Sequence, residues 1–374
     1  MKTLYLLLFA TVSFTLAQAQ SNTIETIQHG GLTREYRLYV PAMYDGSQAV
    51  PVVFNLHGYT SNAQQQELYG NFTAIADTAN FIVVHPEGTL DGGGEQWWNA
   101  FGAASPDDVG FVSAMIDELD QNYNINLNRV YSTGMSNGGY MSFELACQLG
   151  NRIAAVASVT GAMNNGRITA CNAPKPTPIM QIHGTQDPTV AYNGAGSSAS
   201  IPDVVDYWVN QTNSNPTPTV TNMPDIDMSD GSTAEHYLYT GGDQNTTVEH
   251  FKIINGAHTW PGAPIDIGVT NHDIDASIEI WRFFSQYSLN NLLSVEQEQS
   301  KEVFKLYPNP SDGVVNIEFD KSVNSFVIVD ALGREILKKQ NIQTQETIEI
   351  KQKGVYFIQF ESNSGLITKK FIVK

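Results

Sequence analysis

The stretch YSTGMSNGGYM, Tyr131 to Met141, decides the fold. It closes a strand, RVYSTG, that begins at Arg129 and passes directly into residues with helical spacing, from Gly138 to about Leu149. At the junction stands Gly134-Met135-Ser136-Asn137-Gly138, a G-x-S-x-G pattern. The flanking glycines permit a tight, strained strand-to-helix turn that lifts the Ser136 hydroxyl clear of a sheet, while the helix start offers N–H groups to a developing anion. The bare pentapeptide also occurs by chance at glycine-rich helix starts, so its weight comes from this junction.

Outward from the junction, strands and helices alternate. Upstream lie a strand pair from Ile24 to Val40 around His29-Gly30-Gly31, then PVVFNLHG (Pro51 to Gly58) and FIVVHPEG (Phe81 to Gly88), with one helical stretch, NAQQQELYGNFTAIADTAN, between the last two. A helix from Val109 to about Tyr123 follows. Downstream come strands IAAVASVTG and PIMQIHG, a helix around Val204 to Val209, strands near EHYLYTG and VEHFKIING, and a closing helix, DASIEIWRFFSQY. Such alternation with right-handed crossovers predicts an α/β fold, a mostly parallel sheet covered by helices on both faces. Chemistry then belongs at the carboxyl ends of the strands.

A serine hydroxyl is a weak nucleophile until a base takes its proton, and the base needs an orienting carboxylate. In this fold the chain order is Ser, acid, His. Asp187, just past PIMQIHG, and His258, just past FKIING, stand at the correct edge. His57, His85 and His183 also end strands and read as structural or supporting groups; His29, His236, His250 and His272 have no matching context. Asp206 and Asp243 lack a strand-end position. The oxyanion donors are expected to be the backbone N–H groups of Asn137 and of Tyr59, reached because Gly58 permits close approach. Tyr59, Trp98 and Trp260 are expected to touch substrate. Of the pair Trp97 and Trp98 at most one need do so, because successive side chains in an extended loop point apart, and plain packing is the rival reading for all.

Composition sets the boundaries. With 374 residues, 41% of them apolar, the chain should hold one large packed domain and a smaller one. Residues 1–19 carry Lys2, an apolar run from Leu4 to Leu16 and Ala17-Gln18-Ala19, the order of a secretory signal peptide and too short to span a bilayer. Residues 20–287 form the α/β domain, 288–303 a polar linker and 304–374 a small all-β sandwich of short alternating runs. Residues 301–374 hold 11 Lys and Arg against 9 Asp and Glu, which leaves 9 against 29 in the remainder. That acidic field disfavours nucleic acid and anionic lipid as partners. Cys147 and Cys171, the only cysteines, are either bridged, which adds about 3 kcal/mol, or two buried thiols. DIDMSDG at Asp225 to Gly231 has the outline of a calcium loop, but its glycine is one place late and position twelve is His236. No Cys and His cluster has zinc spacing. No metal and no cofactor are expected.

Five motifs together, NLHGYT, DDVGFV, GMSNGGYMSFELACQL, IHGTQDPTV and GAHTWPG, resemble exported α/β-hydrolases of the LpqC-like family, which includes polyhydroxybutyrate depolymerases and feruloyl esterases. The resemblance spans residues ~30 to 287. It implies an α/β-hydrolase fold, a Ser136-Asp187-His258 triad and pairing of Cys147 with Cys171. The C-terminal module, with YPNP at Tyr307 to Pro310, GVYFIQF at Gly354 to Phe360 and the ending KKFIVK, is similar to type A sorting domains of the type IX secretion system. That likeness implies passage through the outer membrane by the type IX machinery, to the cell surface or beyond. A carbohydrate-binding sandwich fits less well, because the module lacks tryptophan to stack on sugars. The expected activity is hydrolysis of a carboxylic ester: feruloyl or acetyl groups on polysaccharide, or a polyhydroxyalkanoate-type polyester. Alternatives from other classes are a non-catalytic polysaccharide binder on a hydrolase scaffold and a serine peptidase.

Overall fold

The computed structural model describes residues 20–289, 304–319, 323–330, 334–342, 344–362 and 365–374. The expected signal peptide at 1–19, and all of the expected linker from residue 290 on, lie outside the described residues. The chain divides into two compact units, 1–295 and 296–374.

In the first unit, β1 (Ser21–His29) and β2 (Leu32–Val40) form a hairpin. Its turn falls on Gly30 and Gly31 at φ +59° and +78°, a conformation that side chains other than glycine resist. There follow β3 (Val50–Leu56), α1 (Ala63–Tyr69), α2 (Thr73–Ala79), β4 (Ile82–Pro86), a short hairpin of β5 (Thr89–Leu90) and β6 (Gln96–Trp97), α3 (Asp108–Asn122), β7 (Ile125–Met135) and α4 (Asn137–Leu149). Next come β8 (Ala155–Val159), α5 (Asn165–Ala170), β9 (Ile179–Gly184), α6 (Ile201–Gln211), β10 (Thr219–Asn222), β11 (Thr233–Tyr239), β12 (Val248–Ile254) and α7 (Ala276–Phe284). The ten-stranded sheet has the order β1-β2-β4-β3-β7-β8-β9-β12-β11-β10. Its central run from β4 to β12 is parallel and its flanks are antiparallel.

Residues along β3 are buried alternately on the two faces. Val52, Phe54 and Leu56 join the layer under α3, α4 and α6, with Phe111, Phe143 and Trp208. Val53 joins the layer under α2 and α7, with Ala76, Ile280, Phe283 and Phe284. Burying each such large side chain contributes about 1.5–3 kcal/mol. Double coverage of this kind explains why the central strands read as unbroken apolar runs.

Two local features depart from the sequence reading. The single helical stretch between β3 and β4 is two helices, broken at Gly70, where a side chain would meet the Trp260 ring at 3.1 Å; Asn71 Oδ1 then accepts from Thr73 N–H to start the second helix. The short α5 and the β5–β6 hairpin lack any periodic apolar signal. The disulfide joins Cys147, in α4, to Cys171 at the end of α5.

The second unit contains β13 (Phe304–Tyr307), β14 (Val314–Phe319), β15 (Val323–Asp330), β16 (Glu335–Ile342), β17 (Gln345–Glu349), β18 (Gly354–Ser362) and β19 (Gly365–Val373). They form a three-stranded sheet, β13-β14-β17, and a four-stranded sheet, β16-β15-β18-β19. Val315, Ile317 and Ile348 from one sheet share a core with Phe326, Ile358 and Phe371 from the other, the sandwich expected from the alternating pattern.

Candidate active site

The parallel strands deliver their carboxyl ends to one edge. Between β7 and α4 the chain turns through Ser136 at φ +54°, a left-handed conformation that costs a residue bearing a side chain about 1–3 kcal/mol. The surroundings enforce it. A Cβ at Gly134 would stand 2.6 Å from the Leu56 carbonyl oxygen, and one at Gly138 only 2.2 Å from it, so glycine is the residue that fits at both places. Ser136 N–H donates to Val159 O at 2.8 Å, while the Ser136 hydroxyl makes no helix-capping bond.

β9 and β12 supply the other two groups. His258 Nδ1 lies 2.7 Å from Asp187 Oδ2. The Asp187 side chain is wholly buried and that of His258 is 18% exposed, so the ring stands between a dry carboxylate and open space. Burial opposes ionisation of Asp187. The contacts with His183 and His258 outweigh it and hold the carboxyl well below its usual range. Its other oxygen, Oδ1, accepts from the N–H groups of Thr189 and Val190, both at 2.8 Å. Asp187 is therefore a fixed anion facing the imidazole.

A cavity of about 450 Å³ opens at this edge, and Ser136 and His258 both line it. Among the described residues no hydrogen bond joins the Ser136 hydroxyl to the imidazole. The remaining wall includes Gly58, Tyr59, Tyr69, Met135, the polar Ser61, Gln65 and Gln66, and the apolar side chains Leu68, Ile265 and Ile267; among the described residues no Asp, Glu, Lys or Arg contributes. Neither Tyr59 N–H nor Asn137 N–H, the second being the first of α4, has an acceptor among the described residues. Gly58 places the first of these beside the serine: a Cβ there would lie 3.4 Å from Ser136 Cβ. His57 ties the Gly58 loop down. Its Nδ1–H donates to Gly58 O at 2.7 Å and its Nε2 accepts from Gly88 N–H at 2.9 Å, while burial lowers its imidazole to about 4 and keeps it neutral. Tyr59 itself lines the cavity, and its hydroxyl donates to Asp91 Oδ2 at 2.8 Å.

The two tryptophans expected against substrate are elsewhere. Trp98 is 0% exposed: its indole N–H donates to His57 O, and its backbone is clasped by the Asn137 side chain, Oδ1 accepting at 2.6 Å and Nδ2 donating at 3.1 Å. Trp260 is 1% exposed, donates to Ser277 Oγ at 3.1 Å and packs edge-on against Phe72. Both buttress the site from inside the protein and neither lines the cavity. The residues the sequence reading missed are Leu68, Ile265 and Ile267, whose only signal was apolar character in exposed segments, at 61%, 65% and 55%. Of the rival histidines, His29, His236 and His272 pair with Asp107, Glu249 and Asp266, and His85 and His250 are buried away from the cavity. In the acidic DIDMSDG loop, Asp227 and Asp230 bond to nearby Ser229 and Ser232. Among the described residues no group of three or more His, Cys, Asp or Glu is arranged to hold a metal ion.

Residues 43–202 match the phospholipase/carboxylesterase family model, and residues 305–374 match the secretion system C-terminal sorting domain. The bifunctional acetylxylan esterase/xylanase XynS20E of Neocallimastix patriciarum is 28% identical over 266 residues, 71% of this chain and 35% of that protein. A probable feruloyl esterase C of Aspergillus clavatus is 32% identical over 169 residues, 43% of this chain and 57% of that protein. The chain thus spans less than two thirds of either relative. An acetyl xylan esterase from Aspergillus awamori superposes with a TM-score of 0.52 at 12% identity, covering 70% of this chain and 99% of that one, a likeness of fold. The first unit has an α/β-hydrolase fold, and residues 305–374 resemble the secretion sorting domain.

Proposed function

We propose that this protein is an exported serine hydrolase of carboxylic esters that works through an acyl-enzyme. The observation that carries the reading is the 2.7 Å contact between His258 Nδ1 and Asp187 at the edge of a cavity whose wall also holds Ser136. His258 Nε2 takes the hydroxyl proton as Ser136 Oγ attacks the ester carbonyl, the contact between them tightening once substrate is bound. The oxyanion that forms is met by the free N–H groups of Tyr59 and Asn137, each worth about 3 kcal/mol to the transition state. Collapse expels the alcohol, which takes its proton from His258. Water, deprotonated by the same ring, then releases the acid and restores Ser136.

The cavity also narrows the substrate. Its size is that of sites that enclose a small organic ligand, and its wall is uncharged and largely apolar. An acetyl group would fill little of it, whereas a feruloyl group, the acyl group in the name of the Aspergillus clavatus relative, would meet Leu68, Ile265 and Ile267. A hydroxyalkanoate chain is the second neutral substrate that fits this lining. Export rests on the sorting-domain match, and we assign the route to the type IX machinery. Methyl ferulate, acetylated xylan and polyhydroxybutyrate film, assayed in parallel, should rank in the order ferulate, hydroxybutyrate, acetate by kcat/KM. Ser136→Ala should abolish all three with folding unchanged. Turnover retained by Ser136→Ala would overturn the mechanism, and a preference for acetate would overturn the substrate.

A further inference from the structure

Asp187 has a second histidine against it. His183, the fifth residue of β9, is fully buried, with Nε2 2.8 Å from Val190 O and 3.3 Å from Asp187 Oδ2. On the far side of the ring, Nδ1 lies 3.0 Å from Gln181 Nε2. The orientation of that amide is fixed by its other neighbours, Gly161 O at 3.0 Å and Ile182 O at 3.4 Å, two acceptors that only the NH2 end can face. An amide nitrogen donates and a carbonyl oxygen accepts, so the contacts select one neutral tautomer of His183, with Nδ1 bare and Nε2 protonated. That single proton points at Val190 O, and Asp187 Oδ2 lies beside it at 3.3 Å, a charge–dipole contact.

The layer behind is equally constrained. Gln181 O accepts from His250 Nδ1–H at 3.0 Å, and His250 Nε2 accepts from the Tyr192 hydroxyl at 2.9 Å. The Tyr192 ring stands edge-on to His183 with centroids 6.1 Å apart. The titratable groups facing His183 are therefore Asp187, Tyr192 and His250, and across Asp187 the reacting His258. Among the described residues the Gln181 amide oxygen is buried without a partner, but turning the amide over would set that oxygen against Gly161 O, so the donating orientation toward His183 holds.

We propose that His183 is a positioning residue for Asp187. Held in its Nε2–H tautomer by Gln181, it pins Asp187 Oδ2 in line with His258 Nδ1 and absorbs part of the carboxylate charge before that charge meets the imidazolium. The proposal rests on the reading of Ser136, His258 and Asp187 as the acyl-transfer machinery.

The test compares His183→Leu, which removes the N–H, with His183→Gln, whose amide returns a donor near the Nε2 position, by kcat, KM and the pH profile of kcat/KM on a p-nitrophenyl ester. For His183→Leu, kcat should fall about ten- to a hundred-fold at unchanged KM, the loss expected of a slightly misplaced reacting group. Its acidic limb should move up by about half a pH unit, because a carboxylate relieved of the His183 N–H dipole stabilises the His258 imidazolium more strongly. His183→Gln should recover part of both. A kcat and acidic limb like those of the unmodified protein in His183→Leu, or His183→Gln no better than His183→Leu, would overturn the proposal. Should His183→Leu not fold, nitrogen-15 spectra of the unmodified protein decide: a bare Nδ1 and protonated Nε2 at His183 support it, and a protonated Nδ1 overturns it. Ser136→Ala in the same series separates the two readings. Turnover retained there defeats the acyl-enzyme, whereas an inactive Ser136→Ala beside an unaffected His183→Leu defeats the positioning role alone.

Discussion

Asp187→Asn is the substitution whose outcome the geometry specifies most closely. Asp187 Oδ1 accepts from Thr189 and Val190 N–H, so the asparagine carbonyl takes that place and its NH2 group turns toward His258 and His183. An amide N–H pointed at His258 Nδ1 requires that nitrogen to be bare, which moves the ring proton to Nε2, where the base must be empty to receive the serine proton. Loss of the correct tautomer together with the carboxylate charge costs about ten-thousand-fold in kcat, or about 5 kcal/mol of transition-state stabilisation. KM should barely change, since Asp187 does not line the cavity. The assay is steady-state hydrolysis of a p-nitrophenyl ester, with circular dichroism to check folding. A folded Asp187→Asn protein within tenfold of the original kcat would refute this account of the acid.

Trp260→Ala empties a buried site beside Phe72 and Gly70 and should lower unfolding stability by about 3–5 kcal/mol; in a folded preparation the ratio of kcat/KM for bulky and small esters should hold, and a selective loss on bulky esters would restore Trp260 to the substrate wall. Replacing Cys147 and Cys171 by serine opens a 24-residue separation and should cost about 3 kcal/mol in denaturant unfolding, against the alternative of no change. Burial lowers His57 and His85 to about 4 and His250 to about 3, below the ordinary 6.5, so the unfolded chain binds more protons between those values. The stability that these neutral rings contribute is present above pH 6.5 and is lost as pH falls toward 4. Glu87, raised by burial to about 7, acts in the opposite sense, stabilising the fold as pH drops from 7 to 4.5. Asp108 and Asp275, also raised by burial, act in the sense of Glu87, but the three histidines titrate across the whole interval, so the urea midpoint should be lower at pH 4.5 than at pH 7, and an equal or higher midpoint would contradict the assignment.

The elbow at Ser136 and the strand-end positions of Asp187 and His258 were legible because each follows from local pattern: an apolar strand, a break and a polar residue just beyond it. The tryptophans were not, because burial is a property of the packed molecule. Around Trp260 the chain turns twice, through Thr259 N–H to Ala257 O and Ala263 N–H to Trp260 O, so proximity in sequence to His258 says nothing about which way the indole faces. Trp98 is drawn inward by a side chain 39 residues away, that of Asn137. The break between α1 and α2 has the same origin, since Gly70 yields to a ring from a distant loop. Ile265 and Ile267 line the cavity from a segment with no period, where an apolar residue carries no directional information. Long-range contacts of this kind decide the cavity's shape and hence its specificity, while strand-end chemistry decides the reaction.

The central claim is that Ser136 is a nucleophile activated by His258. Intact-mass spectrometry after treatment with a fluorophosphonate, followed by peptide mapping, tests it most directly. One phosphonyl adduct located on Ser136, absent from Ser136→Ala and strongly slowed in His258→Ala, is the predicted result. A folded protein that takes no adduct, or takes it on another residue, would contradict the claim.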